Sequence, residues 1–215
     1  MTEMLRTCSA IILDFDGTIV DSNIIKRRCF AEIFYDKSFS QRELFGFIDS
    51  LGSVDRFEII SACSQVFFEG AYSAAEIKGK IDLYSESCHK NILDADEIAG
   101  SLAFIRKAKE RDKLLFISSA TPQQYLVPVV DALGLSEYFN EIYGGPESKF
   151  SHIERVMVDN SLRSEDIAYI GDSDADYNAA SQCGCHFFGI VSRASRFSID
   201  PTELHYGYHE LIRVL

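Results

Sequence analysis

Short apolar runs alternate with amphipathic stretches through most of this chain. Residues 9–15, 113–119, 141–144, 167–171 and 185–191 form apolar runs of strand length. Between them, residues 99–111, 122–134, 149–160 and 175–183 repeat their apolar positions at helical spacing. Strands separated by helices predict an α/β fold, a Rossmann-like parallel sheet with helices packed on it. Pro128 falls inside the helical stretch 122–134 and predicts a bend there, because it removes a hydrogen bond.

Residues 22–95 break the alternation. They contain almost no strand-like run and four helical stretches, 23–35, 41–50, 54–69 and 74–91. Leu44, Phe45 and Ile48 recur at helical spacing in the second, and Phe57, Ile60, Val66 and Phe67 in the third, which predicts that these faces are packed. The α/β core is therefore expected from residues 1–21 and 96–215, with a helical insertion at 22–95.

The first apolar run delivers two carboxylates, Asp14 and Asp16, into a turn at Gly17-Thr18. On an extended chain the two acids share one face and Phe15 points the other way. Gly17 has no Cβ, so backbone amides can approach an anion there. Clustered carboxylates repel, and one must protonate unless a cation lies between them. Mg²⁺ suits that position, because it binds through one or two carboxylates plus a substrate phosphate. Taken alone, Asp-Phe-Asp-Gly also describes an ordinary solvated turn.

Three further segments join it. The run ending Ser118-Ser119-Ala120-Thr121-Pro122 brings hydroxyls to a strand end. Tyr143 to Lys149 passes through a glycine turn to a lysine able to neutralise phosphate. Ile167 to Asp176 ends in the densest acid in the chain, Asp172, Asp174 and Asp176. All four segments lie at the carboxyl ends of predicted strands, where open α/β sheets bind their ligands.

In this order the four segments resemble the four motifs of the haloacid dehalogenase superfamily of aspartate-nucleophile phosphatases. The resemblance implies Asp14 as nucleophile and Asp16 as general acid and base, with the Asp16 backbone carbonyl as a metal ligand. It implies Ser119, rather than Ser118, as the hydroxyl that bonds a phosphoryl oxygen. Gly17, Thr18, Ala120 and Lys149 complete the implied phosphate site, and Asp14, Asp16, Asp172 and Asp176 the Mg²⁺ site. Asp174 reads as an extra ligand or as a helix N-terminal charge. Residues 22–95 fall where the family carries a helical cap that closes over the site, with hinges expected near 21–23 and 94–97. The loop from Asp49 to Arg56 resembles the family's substrate-selecting loop. Arg56 is its candidate for gripping a carboxylate or second phosphate, and a surface arginine at a helix start is the other reading.

The implied activity is Mg²⁺-dependent hydrolysis of a small phosphorylated metabolite, such as phosphoglycolate or a sugar phosphate, through an aspartyl-phosphate. Asp16 sets the chain apart from dehalogenases, which lack the second aspartate, and from phosphonate hydrolases, which carry a small residue there. A sugar phosphomutase keeps both aspartates and stays as an alternative. A catalytically silent binding module is the alternative outside enzymes, and its usual signature is loss of a motif acid.

Composition narrows the partners. With 33 acidic and 21 basic residues in 215, the formal charge is −12, which argues against the basic stripe that nucleic acid requires. No apolar run is long enough to span a bilayer, and the start Met-Thr-Glu-Met-Leu-Arg lacks a signal-peptide hydrophobic region, so a cytoplasmic protein is expected. Cys8, Cys29, Cys63, Cys88, Cys183 and Cys185 include no Cys-x-x-Cys pair and read as reduced core thiols. Cys183-Gly-Cys185 reads as a helix end turning into a strand. The run Lys26-Arg27-Arg28 reads as a solvated helix face, and the five histidines show no metal-ligand spacing.

Overall fold

Four consecutive apolar residues, Ala10–Leu13, form strand β1, and all four are buried. A strand shielded on both faces has no polar side, so its sequence is continuous rather than alternating. The computed structural model describes residues 2–34, 39–52, 56–70, 72–191, 197 and 205–215. It sets β1 inside a six-stranded sheet with β2 (Leu114–Pro122), β3 (Glu141–Gly145), β4 (Ile167–Gly171), β5 (His186–Ile190) and β6 (His205–Tyr206). The order is β3-β2-β1-β4-β5-β6, and every pairing is parallel. Leu13 stands level with Ile117 of β2 and Ile170 of β4. The chain continues to opposite sides of β1 at this point, which opens a crevice at the carboxyl ends of the strands.

Helix α1 (Thr2–Thr7) precedes β1. Four helices follow it: α2 (Asn23–Ile33), α3 (Gln41–Ser50), α4 (Arg56–Phe67) and α5 (Ala74–Ile92). The remainder of the chain adds α6 (Ser101–Glu110), α7 (Gln123–Ala132), α8 (Lys149–Asn160), α9 (Asp174–Cys183) and α10 (Tyr208–Val214). Two compact units result, Met1–Asn23 with Leu93–Leu215, and Ile24–Ile92.

In the sheet unit, Ala10, Ile12, Phe116, Tyr169 and Phe187 pack on Ile153 and Val156 of α8 and on Ala179 and Ala180 of α9. The alternate residues Ile11, Leu13, Leu115, Ile117 and Ile170 are equally buried and face the other side of the sheet. Helix α7 continues through Pro128. An interior proline costs about 3 kcal/mol, whereas each fully buried aliphatic side chain contributes about 1.5–3 kcal/mol. The buried Leu126, Val129 and Val130 therefore outweigh it. Helix α1, strand β6 and helix α10 were not anticipated, each being too short to show a period.

The helical unit has its own core of Cys29, Phe30, Phe34, Leu44, Ile60, Cys63, Tyr84 and Cys88. Its α4 corrects the expected packing face. Phe57 and Val66 are 56% and 57% exposed, while Ile60, Cys63 and Ser64 form the buried stripe. The loop expected from Asp49 is also shorter, since α3 runs through Ser50, and residues 53–55 lie outside the described residues. Arg27 is not merely solvated: it pairs with Asp49 at 3.0 Å and lies 4.8 Å over the Phe45 ring. Among the described residues, no helix is long and apolar enough to cross a membrane.

Candidate active site

The Asp14 amide donates to the Ile170 carbonyl at 2.9 Å, carrying the ladder one residue past β1. The chain then turns, with Ile19 N–H on the Phe15 carbonyl (2.9 Å) and Gly17 N–H on the Val20 carbonyl (2.8 Å). Both acids thus stand beyond the strand, and they meet different partners. Asp14 Oδ1 lies 2.9 Å from Lys149 Nζ. Asp16 Oδ1 accepts from Ser22 Oγ (2.6 Å), and its Oδ2 accepts from Thr121 Oγ1 (2.8 Å) and Ser119 Oγ (3.3 Å).

Lys149 opens α8, where Ser148 caps the helix by accepting from Ser151 N–H. Its ammonium also donates to Asp176 Oδ1 at 2.5 Å. The other oxygen of Asp176 accepts from the Ser173 amide (3.2 Å) and hydroxyl (2.5 Å), which closes the capping box at the start of α9. Gly171 makes room for this acid, since a Cβ there would sit 2.4 Å from Asp176 Cβ. Asp172 Oδ2 accepts from Asn23 Nδ2 at 3.1 Å. One oxygen each from Asp14, Asp172 and Asp176 lies within 4.8 Å of the others, and all three residues are buried.

Burial pushes Asp14 up to about 7, with Asp176 and Asp16 adding to the rise and Lys149 opposing it. Burial likewise pushes Asp172 up to about 8, reinforced by Asp14 and Asp176. Lys149 is held charged, well above its ordinary value, by Asp14 and Asp176 against its own desolvation. Three desolvated carboxylates around one ammonium leave negative charge uncompensated, and an all-oxygen donor set fits a hard divalent cation such as Mg²⁺.

The remaining expected residues fall as follows. Ser119 is buried against Asp16 and Thr121, and Ala120 beside it is exposed. Ser118 turns to His152 instead, 2.9 Å from its Nδ1. Thr18 is fully buried; its carbonyl accepts from the Tyr208 hydroxyl at 3.0 Å, and its own hydroxyl has no hydrogen-bond partner among the described residues. Asp174 is the first residue of α9 and is not among the three clustered acids. Arg56, in the helical unit, donates to Ser85 Oγ at 3.1 Å and lies 5.6 Å from the Tyr84 ring centroid.

Residues 11–190 match the family model for haloacid dehalogenase-like hydrolases. The chain belongs to this family. A phosphoglycolate phosphatase of Photorhabdus laumondii is 24% identical over 203 residues, covering 88% of this chain and 83% of that protein. Among solved structures, a predicted phosphoglycolate phosphatase from Haemophilus somnus superposes with a TM-score of 0.78 at 17% identity, covering 97% of this chain and 98% of that one. CbbY from Rhodobacter sphaeroides, solved with phosphate, gives 0.72 at 19% identity, with 92% of each chain covered. These likenesses establish the fold of this hydrolase.

Four contacts of the site escaped the sequence reading: Ser22 and Thr121 on Asp16, Asn23 on Asp172, and Tyr208 on Thr18. A usable signal existed for the first and third, because Ser22-Asn23 is a polar pair at the start of a helical stretch, a capping pattern. Tyr208 lies beyond the residues that match the family model.

Gly17 is fixed by both conformation and space. Its φ is +79°, and a Cβ would stand 2.1 Å from Asp172 Oδ2 and 2.3 Å from Asn23 Nδ2. Gly17→Ala is expected to cost about 2–3 kcal/mol from left-handed strain and overpacking. At about 2–4 °C per kcal/mol for a chain of this size, calorimetry should show Tm lower by roughly 5–10 °C. An unchanged Tm would mean that Asp172 and Asn23 move aside freely.

Proposed function

We propose that this hydrolase is a Mg²⁺-dependent phosphatase that cleaves the monoester of a small phosphorylated metabolite through an aspartyl-phosphate on Asp14. The observation that carries this reading is the convergence of Asp14, Lys149, Asp172 and Asp176 on one buried point, with Asp16 anchored separately by hydroxyls. Asp14 attacks phosphorus in line with the ester bond, and Asp16 gives its proton to the departing alkoxide. Asp16 then takes a proton from water, the water attacks the aspartyl-phosphate, and inorganic phosphate leaves Asp14 free again.

Lys149 and the Ser119 hydroxyl hold the non-reacting phosphate oxygens, joined by the backbone around Gly17, Thr18 and Ala120. Because the Thr18 side chain is fully buried, its share comes from the backbone. Asp14, Asp172 and Asp176, with the Asp16 carbonyl, would hold Mg²⁺, which when bound supplies the charge that screens the nucleophile from the phosphate.

The helical unit serves in this reading as the cap, and Arg56 as the grip for a carboxylate or second phosphate of the substrate. The relatives named phosphoglycolate phosphatase put phosphoglycolate at the head of the substrate panel. The acidic net charge favours a small metabolite over nucleic acid. Six unbridged cysteines fit the reducing cytoplasm, where the proposal locates the enzyme.

The test is phosphate release from an aryl phosphate, phosphoglycolate and sugar phosphates, with Mg²⁺ and with a chelator. Release that requires Mg²⁺ and leaves the free alcohol supports the proposal. A product that is an isomeric sugar phosphate would make the protein a mutase, and no turnover of any ester would overturn the reading.

A further inference from the structure

Two buried hydroxyls reach the turn behind Asp14 and Asp16 from helices that carry no motif residue. Tyr208 Oη, on α10, donates to the Thr18 carbonyl at 3.0 Å, and Ser101 Oγ, on α6, donates to the Ile19 carbonyl at 2.8 Å. All four residues are at most 1% exposed. The Ile19 carbonyl also accepts from the Ile98 amide at 2.9 Å. Among the described residues, Tyr208 alone donates to the Thr18 carbonyl.

The same two peptide groups send their amides to a single acceptor. Ile19 N–H and Val20 N–H both donate to the Phe15 carbonyl, at 2.9 and 3.2 Å. That carbonyl belongs to the planar peptide bond joining Phe15 to Asp16, so its direction sets how the backbone enters Asp16. Each hydroxyl therefore stands one peptide group away from the link between the two acids. Helices α6 and α10 present the two hydroxyls from one packed pair: the Phe104 and Tyr208 rings lie 5.2 Å apart, and Lys107 Nζ donates to the Ile212 carbonyl at 2.5 Å. Gly100 leaves room for this approach, since a Cβ there would stand 3.2 Å from Tyr208 Cβ.

On the phosphatase reading of Asp14 and Asp16, we propose that Tyr208 and Ser101 are positioning residues for the hydrolysis, clamping the Thr18 and Ile19 peptide groups so that the turn holds both acids in register. Each acts through a main-chain carbonyl and not on the ester. A hydroxyl on the carbonyl of a peptide group polarises its amide, which strengthens the bond to Phe15. Without Tyr208 Oη the buried Thr18 carbonyl is left unpaired, and that penalty favours rotation of its peptide group away from Phe15. The acids then lose their fixed spacing, and a misplacement of about 1 Å in a reacting group costs up to about 10²-fold in rate.

Tyr208→Phe in the full chain removes one oxygen and keeps the ring. For an aryl phosphate with Mg²⁺, its kcat should fall about 10-fold or more, with KM within about 2-fold of wild type. Ser101→Ala should lower kcat only about 3-fold, because the Ile98 amide still holds the Ile19 carbonyl. Val130→Ala, at a buried position of α7 with no bond to the turn, is the control for stability alone and should lower Tm while leaving kcat unchanged. Hydrogen–deuterium exchange over residues 14–22, read by peptide mass spectrometry, reports the clamp without substrate: the Ile19 and Val20 amides should exchange about 10-fold faster in Tyr208→Phe. Wild-type kcat in Tyr208→Phe, unchanged exchange over residues 14–22, or an equal loss of kcat in Val130→Ala would overturn the positioning role and leave the phosphatase reading standing. A wild-type protein without turnover would overturn the phosphatase reading and the role in hydrolysis with it, while exchange would still report whether the clamp exists.

Discussion

Asp14→Asn is expected to lower kcat for phosphate-ester hydrolysis on the order of 10⁴-fold or more, the scale of removing a nucleophile. Asparagine keeps the shape but cannot form the acyl phosphate. The fold should survive, because Lys149 retains its 2.5 Å bond to Asp176. The same variant probes the buried charge. In the folded protein Asp14 is raised from 3.8 to about 7, and Asp172 from 3.8 to about 8. Across that window the folded state keeps protons that the unfolded chain has lost, so stability falls as pH rises and levels off above about pH 8. Metal-free wild-type protein should therefore melt lower at pH 8 than at pH 5, and Asp14→Asn should show a shallower decline. Wild-type hydrolysis by the variant would remove Asp14 as the nucleophile. A metal-free Tm that climbs with pH would contradict the charge balance assigned to the cluster.

Lys149→Met should damage both stability and turnover. Its ammonium is buried between Asp14 and Asp176, and no other cation bonds either acid among the described residues. Removing one partner from a buried ionic cluster costs about 3–5 kcal/mol. At about 2–4 °C per kcal/mol, Tm should fall by roughly 6–20 °C. The drop should be larger at pH 8 than at pH 5, where Asp14 and Asp172 carry protons and need less compensation. Loss of the group that opposes the phosphate charge should lower kcat by about 10²–10³-fold. Added Mg²⁺ should recover part of the stability and little of the activity. A variant that melts and turns over like the wild type would show that Lys149 is an incidental neighbour of the acids.

Long elements were readable because burial repeats at a fixed period within them. Strand β4 and helix α8 fall on the stretches expected, 167–171 and 149–160. The motif acids were readable for a related reason: each follows an apolar run, so its place at a strand end is a local fact. Phe57 and Val66 were assigned to the wrong face because a hydrophobic period locates a stripe without saying which neighbours cover it. In α4 the smaller Cys63 and Ser64 take the buried positions instead. Tyr208 could not be anticipated, since its value lies in a hydroxyl reaching Thr18 across 190 residues of chain.

The amino-acid order alone set the α/β class, the helical insertion and the sequence of motif acids, because periodicity and strand-end chemistry are properties of adjacent residues. Which acid meets which partner emerged only on folding. Thr121 reaches Asp16 over 105 residues, and Asn23 reaches Asp172 over 149. Pairings at such separations leave no local trace. They exist because the parallel register aligns the ends of β1, β2 and β4, and because burial there makes each uncompensated charge costly enough to select its partner.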